Sequence, residues 1–129
     1  MDLVERLPSV PEYIGLLTAV GWPSPAGEEC ERALLGSLAA VCAVDEREVV
    51  GMGRLVGDGA IYCFVVDIVV DPHHHGRGIG MAIMEHLEAF AHSRCLGKRL
   101  DLVAAPDVAT FYRRLGYKQL DSELMRKTL

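Results

Sequence analysis

The stretch from Asp67 to Gly80 holds the residues whose types and spacing could support chemistry. It reads Asp-Ile-Val-Val-Asp-Pro-His-His-His-Gly-Arg-Gly-Ile-Gly. Two kinds of site fit such a stretch. The three histidines could bind a metal ion, or the glycine-spaced run could be a loop whose backbone binds a phosphate.

The metal interpretation is the weaker one. Neighbouring side chains of an extended chain point to opposite faces, whereas metal sites built from one element use spacings such as i and i+4 on a helix. The cysteines are scattered and show no C-x-x-C pair, so they predict reduced, mostly buried thiols. We therefore expect no metal site and a solvated loop in which His73 and His74 are exposed. The residues concerned are His73, His74, His75, Cys30, Cys42, Cys63 and Cys95.

The phosphate interpretation fits better. Gly76, Gly78 and Gly80 lack Cβ atoms, so the backbone can adopt left-handed conformations and approach a ligand closely. A helix is expected to begin in this run, and the free N–H groups at a helix start favour an anion. Arg77 adds a charge but is not expected to be the main determinant. The spacing matches neither the G-x-G-x-x-G dinucleotide fingerprint nor a Walker loop, so those nucleotide folds are disfavoured.

The elements around this loop follow from hydrophobic periodicity and turn residues. The last predicted strand is apolar at nearly every position, so it should lie in the centre of a sheet with both faces buried. The polar and apolar tail could add one or two closing strands. The pattern predicts helices over 11–22, 27–38, 78–96 and 106–115, three strands within 39–70 of which the last spans 61–70, and a strand over 99–105.

Composition limits the classes of function. The 129 residues, half of them hydrophobic, predict one domain over 1–129. A net charge of -5 without a basic block argues against a nucleic-acid partner. No basic leader and no apolar run of about 18 residues is present, so we expect no membrane association and a cytoplasmic location.

Two motifs together resemble a known family. Val70 and Pro72 precede the glycine loop, and about thirty residues later Phe-Tyr-Arg-Arg-Leu-Gly-Tyr spans Phe111 to Tyr117. This pair is similar to the signatures of the GNAT superfamily of acetyl-CoA-dependent N-acetyltransferases, in a compact single-domain bacterial form. His75 stands where the family has Gln or Arg, and Ala105 stands where an Asn often precedes the fourth helix.

The resemblance implies an α/β (α+β) fold with a mixed, mostly antiparallel central sheet flanked by helices and a splay between the fourth and fifth strands. It implies direct transfer of an acetyl group from acetyl-CoA, without a metal, to a primary amine, which we expect to belong to a small molecule. The implied cofactor-binding residues are Ile68, Val69, Val70, His75, Gly76, Arg77, Gly78, Ile79, Gly80, Met81, Phe111 and Tyr112.

Two residues are candidates for proton transfer. Asp67 is a lone carboxylate in an apolar strand, so burial could adapt it to act as the base for the amine, although it could equally pair within the sheet. Tyr112 matches the family tyrosine that protonates the departing thiolate. Trp22, Tyr13 and Tyr62 are expected either to line the acceptor pocket or to pack in the core.

Three alternatives remain open at the sequence level. The chain could be a catalytically weak acetyl-CoA-binding sensor or interaction module that keeps the loop without the chemistry. Its acceptor could be a protein or peptide amine. A homodimer is common among compact members of the family, and the sequence does not decide the oligomeric state.

Overall fold

The central sheet is antiparallel and has the strand order β1-β2-β3-β4. The computed structural model describes residues 1–129. The apolar runs at 39–44 and 49–56 pair through a two-residue turn, with Asp45 opposite Glu48. The strands are β1 Asp2–Val4, β2 Ala39–Asp45, β3 Glu48–Gly57 and β4 Cys63–Val70.

Helices cover both faces of the sheet. The longest, α3, packs on one face together with Val41, Leu55 and Val65, while α1 and α2 cover Met52 and Val69 on the other. No helix is long and apolar enough to cross a bilayer. The helices are α1 Val10–Ala19, α2 Gly27–Leu35, α3 Ile79–Arg94 and α4 Ala109–Arg114, with short 3-10 turns at Pro72–His74 and Pro106–Val108.

The close packing of α3 on β3 sets the position of the loop. A Cβ at Gly53 would stand 2.6 Å from Ile68 Cδ1 and 2.6 Å from Ile83 Cγ2, so only glycine lets the helix approach this near. Ile79, Ile83 and Leu87 are buried against the sheet. The amino end of α3 is therefore held beside the carboxyl end of β4.

The structure contains one strand that was not predicted and corrects two strand predictions. Strand β1 was not predicted, since three residues are too few for a periodic signal. The 61–70 strand is not central: β4 is the last strand of the sheet, and Phe64 on it is 36% exposed. The segment 99–105 forms no strand and makes a single parallel bridge, Asp101 to Phe64.

That bridge is where β4 and the following segment separate. Val65 donates its N–H to the Asp101 carbonyl and Asp101 donates to the Cys63 carbonyl, but the segment after Asp101 forms no ladder with β4. The predicted splay is therefore present, although a fifth strand is not. The tail after Tyr117 contains no strand either, contrary to the prediction, and Leu120 and Leu124 on it are exposed.

Candidate active site

The glycine loop presents a row of free backbone donors. Gly76 and Gly78 have φ of +78° and +76°, and Gly78 is the left-handed N-cap of α3. None of the six N–H groups of residues 76–81 donates to an acceptor in the protein. No heavy atom lies within 4 Å of the point where a Cβ of Gly76 or Gly78 would stand. The loop is thus an open cradle of N–H groups at the positive end of a 16-residue helix.

The arginine and histidine side chains of the loop all contact groups of the protein. Arg77 donates to Asp45 Oδ2 at 3.0 Å, and its Nη1 lies 2.7 Å from His74 Nδ1. His75 Nε2 lies 2.8 Å from the Val70 carbonyl oxygen, and His73 pairs with Asp71. The three imidazoles therefore do not converge, and no group of three or more potential ligands is present for a metal ion.

The position of His75 bears on two predicted cofactor contacts. Its ring donates to the carbonyl of Val70. The side chain of His75 and the main chain of Val70, both predicted to contact the cofactor, are therefore bonded to each other. The departure from Gln or Arg thus has a structural role, because it ties the loop to the end of β4.

A β-bulge interrupts β4 beside the loop. Val66 pairs with Arg54 and Val69 with Met52, so Asp67 and Ile68 together face Gly53 and lie outside the register. Asp67 has a φ of +56°, which is uncommon for a residue other than glycine. A bulge redirects side chains and backbone groups locally, and here it turns the Asp67 carboxylate toward α1.

Asp67 is not the lone carboxylate that the sequence predicted. Its Oδ2 accepts from the Tyr13 hydroxyl at 2.8 Å and from Arg54 Nε at 2.9 Å, and Arg54 Nη2 lies 2.8 Å from the same oxygen. Arg54 is 7% exposed and also donates to the Ala33 carbonyl and Ser37 Oγ. Burial and the bond to Asp67 raise the pKa of Tyr13 to about 12. Oδ1 of Asp67 has no protein partner and is not buried.

Arg54 was missed at the sequence level. One arginine in an apolar strand carries no local signal of its burial, and its carboxylate partner is 13 positions away in the chain. The alternative that Asp67 pairs within the sheet is confirmed by this contact. The geometry does not test whether Asp67 acts as a base, so this role stays a prediction.

The second motif lies next to the loop. The Phe111 ring approaches Gly80, with Cζ 3.7 Å from the position of a Cβ there. Tyr112 stacks edge-on against Phe111 at 5.0 Å and against Tyr117 at 6.0 Å. Tyr117 donates to Glu88, whereas the Tyr112 hydroxyl has no protein partner. Burial raises the pKa of Tyr112, so its hydroxyl is a proton donor at neutral pH.

Tyr112 lines a large groove between the segment 98–106 and the residues that follow α4. The groove encloses about 1150 Å³ and also touches Phe64 at the beginning of β4.

The three aromatic residues predicted for the acceptor pocket are not brought together. Tyr13 is buried beside Asp67, but Tyr62 precedes β4, is 54% exposed and stacks with Arg99. Five residues of extended chain separate Tyr62 from Asp67, a span of about 17 Å. Trp22 lies beyond the end of α1 and is 47% exposed. Only Tyr13 has a contact that favours the predicted role.

The comparison with protein families decides the relationship. The family model described as the acetyltransferase (GNAT) domain matches residues 37–119, which include both motifs and the bulge. The chain belongs to the GNAT family of acetyltransferases. The resemblance that the sequence motifs indicated is thereby confirmed, and the GNAT motif residues can be placed on the geometry above.

Curated relatives of this GNAT chain carry different acceptor names. A histone acetyltransferase of Glycine max is 30% identical over 114 residues, which are 80% of this chain and 49% of that protein. A chloroplastic serotonin N-acetyltransferase of Oryza sativa is 34% identical over 111 residues, 83% of this chain and 54% of that protein. The GNAT chain spans about half the length of these two relatives.

Solved structures match the GNAT chain over its full length. A probable acetyltransferase of unknown function from meticillin-resistant Staphylococcus aureus superimposes with a TM-score of 0.91 at 25% identity, covering 99% of this chain and 98% of that one. A GNAT family acetyltransferase from Streptococcus pneumoniae gives 0.85 at 29% identity, covering 99% and 97%. The fold prediction is confirmed by these matches.

Proposed function

We propose that this GNAT domain transfers an acetyl group from acetyl-CoA directly to a primary amine of a small molecule. The observation that carries the proposal is the row of six free N–H donors at residues 76–81. The Phe111 ring approaches this row at Gly80 and stacks on Tyr112, a half-buried tyrosine with a free hydroxyl. Acetyl-CoA supplies an acetyl group activated as a thioester. The residues present fit this co-substrate, because the open cradle suits its pyrophosphate without any side-chain charge.

The amine must lose a proton before it can react. An ammonium with a pKa near 10 is neutral about once in a thousand molecules at pH 7, which costs about 4 kcal/mol. Asp67 offers Oδ1 toward solvent while Arg54 and Tyr13 hold Oδ2. We propose that Asp67 attracts the ammonium and accepts its proton, either at Oδ1 or through a water relay.

Tyr112 supplies the proton on the other side of the reaction. Its pKa is raised by burial, so the hydroxyl remains protonated at neutral pH. A thiolate has a conjugate acid with a pKa near 8.5, so transfer from tyrosine is uphill by a modest amount that a short hydrogen bond can cover. The bonded hydroxyl of Tyr117 is not available for the same step.

The acceptor class rests on charge and on the relatives. Asp67 favours a cationic amine, and the net charge of -5 favours a cation over a polyanion. The relatives named for serotonin and for histone both carry names of amine acceptors, one small and one a protein. A protein or peptide amine is therefore the alternative acceptor, and a cytoplasmic location stays a prediction.

The test is thiol release from acetyl-CoA across a panel of amines. The panel contains arylalkylamines, aminosugars, polyamines and lysine-containing peptides, with Gly78→Asp as the control for a damaged cradle. We expect at least one small amine to be turned over by the wild type and not by the control. Turnover of peptides alone would contradict the small-molecule proposal and favour a protein acceptor.

The same experiment separates an enzyme from a sensor. Calorimetric binding of acetyl-CoA without turnover of any amine would favour the binding module. The free hydroxyl of Tyr112 favours the enzyme, because binding at the backbone cradle does not require it.

A further inference from the structure

Arg54 is a buried arginine with no step of its own in the proposed chemistry. It lies within β3 and is 7% exposed. A buried charge is costly unless it is paired and hydrogen-bonded, so the partners of the guanidinium are the guide to its role. They lie on two sides: Asp67 on β4, and the carboxyl end of α2.

The end of α2 fixes the guanidinium independently of Asp67. Nη1 of Arg54 donates to the Ala33 carbonyl at 3.1 Å and to Ser37 Oγ at 2.9 Å. Ala33 lies in the last turn of α2, where the carbonyl oxygens carry the negative end of the helix dipole. Because the guanidinium is planar, these two bonds set the direction in which its other nitrogens point.

Asp67 is held by one carboxylate oxygen. Nε and Nη2 of Arg54 lie 2.9 Å and 2.8 Å from Oδ2, and the Tyr13 hydroxyl donates to the same atom at 2.8 Å. An arginine–carboxylate pair is frequently bidentate, with one nitrogen on each oxygen. Here both nitrogens and the tyrosine converge on Oδ2, while Oδ1 has no protein partner and is not buried. The contacts therefore fix the carboxylate and leave one oxygen open.

The backbone of Asp67 is constrained at the same place. Its φ of +56° is uncommon outside glycine, and it lies in the bulge where two residues of β4 face Gly53. Strained conformations persist where the surrounding contacts hold them, and they cluster at functional sites. Arg54 and Tyr13 supply such contacts to the side chain of Asp67.

We propose that Arg54 is a positioning residue for the acetyl transfer, which holds Oδ2 of Asp67 so that Oδ1 is directed at the acceptor amine. Arg54 acts through Asp67, because its own nitrogens are bonded inside the protein. Tyr13 assists from α1. The inference rests on the proposed function, since it requires Asp67 to receive the ammonium.

A purely structural role is the alternative, and it predicts a different pattern. An arginine that only ties α2 to the sheet would affect the protein in the same way whether or not residue 67 carries a carboxylate. A positioning residue lowers the rate of transfer only while the carboxylate is present.

The first variant is Arg54→Lys, which keeps the charge and removes the planar fork. With the best amine of the panel, we expect the single-turnover rate to fall roughly 10²-fold, the effect of misplacing a group by about 1 Å. Calorimetry should show an unchanged affinity for coenzyme A, which reports an intact fold. Arg32→Lys is the matched control, since Arg32 is exposed on α2 next to Ala33, and it should leave the rate unchanged.

The deciding measurement repeats Arg54→Lys in the Asp67→Asn background. Asparagine keeps the shape of the side chain and lacks the carboxylate, so Arg54→Lys should cause little further loss of rate there. An equal loss in both backgrounds would overturn the inference while the proposed transfer stands, because Arg54 would then act without the carboxylate. A wild-type rate for Asp67→Asn would overturn it as well.

Tyr13→Phe covers the case in which Arg54→Lys does not fold. It keeps the buried ring and removes only the hydroxyl that donates to Oδ2. The rate should fall by a smaller factor than for Arg54→Lys, and the fall should again vanish with Asp67→Asn. If Arg54→Lys fails to bind coenzyme A, an unchanged rate for Tyr13→Phe would overturn the inference. A wild type that turns over no amine would overturn the proposed function and the inference with it.

Discussion

Tyr112 is the residue whose change tests the proposed chemistry most directly. Tyr112→Phe keeps the ring contacts with Phe111 and Tyr117 and removes a hydroxyl that has no protein partner. Binding of coenzyme A should be unchanged, while the single-turnover rate falls roughly 10²- to 10⁴-fold, the usual scale of general-acid help. Single-turnover measurement avoids a step hidden behind product release.

Tyr117→Phe is the matched control for this change. Its hydroxyl is bonded to Glu88, so its loss should cost about 1 kcal/mol of stability and leave the rate of transfer alone. Because burial raises the pKa of Tyr112 above its usual 10, deprotonation of Tyr112 should reduce activity only above pH 10. Equal rates for wild type and Tyr112→Phe would return Tyr112 to a packing role.

The cradle gives a second prediction at the scale of the residue. Gly78→Asp places a Cβ at a φ of +76° and a negative charge beside the free N–H groups, so coenzyme A affinity should fall strongly. Arg77→Ala should have the smaller effect, because the Arg77 guanidinium is bonded to Asp45 and the backbone donors remain. Calorimetric titration compares the two.

Gly78→Asn separates charge from shape in that comparison. Asparagine has the shape of aspartate and tolerates the left-handed region, so it should bind coenzyme A better than the Asp variant. If Arg77→Ala proves the most damaging of the three, the site depends on side-chain charge and the account of the cradle is wrong.

The sequence predicted the glycine cradle and Tyr112 because their signals are local. Alternating glycines before a helical period determine the cradle within a few positions, and the Phe-Tyr motif is contiguous. The Arg54–Asp67–Tyr13 contacts could not be predicted, because they join β3, β4 and α1 across the bulge. A bulge depends on which strand pairs with which, and no residue type marks Asp67 as the extra one.

The approach of α3 to β3 is the contact between elements that positions the cradle. Gly53→Ala would place a Cβ 2.6 Å from Ile68 and Ile83, so we expect overpacking to cost roughly 1–3 kcal/mol in the free energy of unfolding. Gly15→Ala on α1 is the control. No atom lies within 4 Å of its Cβ position, so alanine there should stabilise the helix by roughly 0.5–1 kcal/mol. Urea denaturation measures both, and a stabilising Gly53→Ala would contradict the close contact.

The capping box at the beginning of α1 makes stability depend on pH. Ser9 and Glu12 cap each other's backbone N–H, and the bond from Arg6 lowers the pKa of Glu12 from 4.5 to about 2. A lowered pKa in the folded state contributes stability above pH 4.5 that is lost as the pH falls toward 2. The stability gap between wild type and Glu12→Gln should therefore close over that window in urea titrations.

Glu31→Gln on α2 is the control for this effect, because Glu31 is exposed and makes no side-chain bond. Glu31→Gln should leave the free energy of unfolding unchanged throughout the same pH window. A gap for Glu12→Gln that stays constant from neutral pH down to pH 2 would show that the carboxylate is not held as an anion by Arg6.

Helices and strands with a long hydrophobic period were predicted well. Segments whose structure depends on strand pairing were predicted poorly. The 16-residue α3 and the strands β2 and β3 have clear patterns. The alternating segment 99–105 has a strand pattern too, but in one chain it finds a partner only at Asp101. Residues 102–104 make no backbone hydrogen bond, so the strand pattern of this segment is not realised beyond the bridge.

At the scale of the molecule, ligand binding should protect a small and specified set of amides from hydrogen exchange. The N–H groups of residues 76–81 have no acceptor in the protein, so they exchange without any opening of the fold. Global stabilisation by a ligand, about 2.7 kcal/mol at one hundred times the Kd, cannot slow such amides. Only a direct bond from the ligand can slow them.

We therefore expect coenzyme A to slow exchange at residues 76–81 while exchange stays fast at exposed, unbonded positions away from the groove, such as Ser24. Mass spectrometry of labelled peptides from wild type and Gly78→Asp, at one protein concentration, makes the comparison. Saturated binding without protection at 76–81 would place coenzyme A elsewhere on the molecule, because six unbonded donors at a helix start have no other reason to become slow.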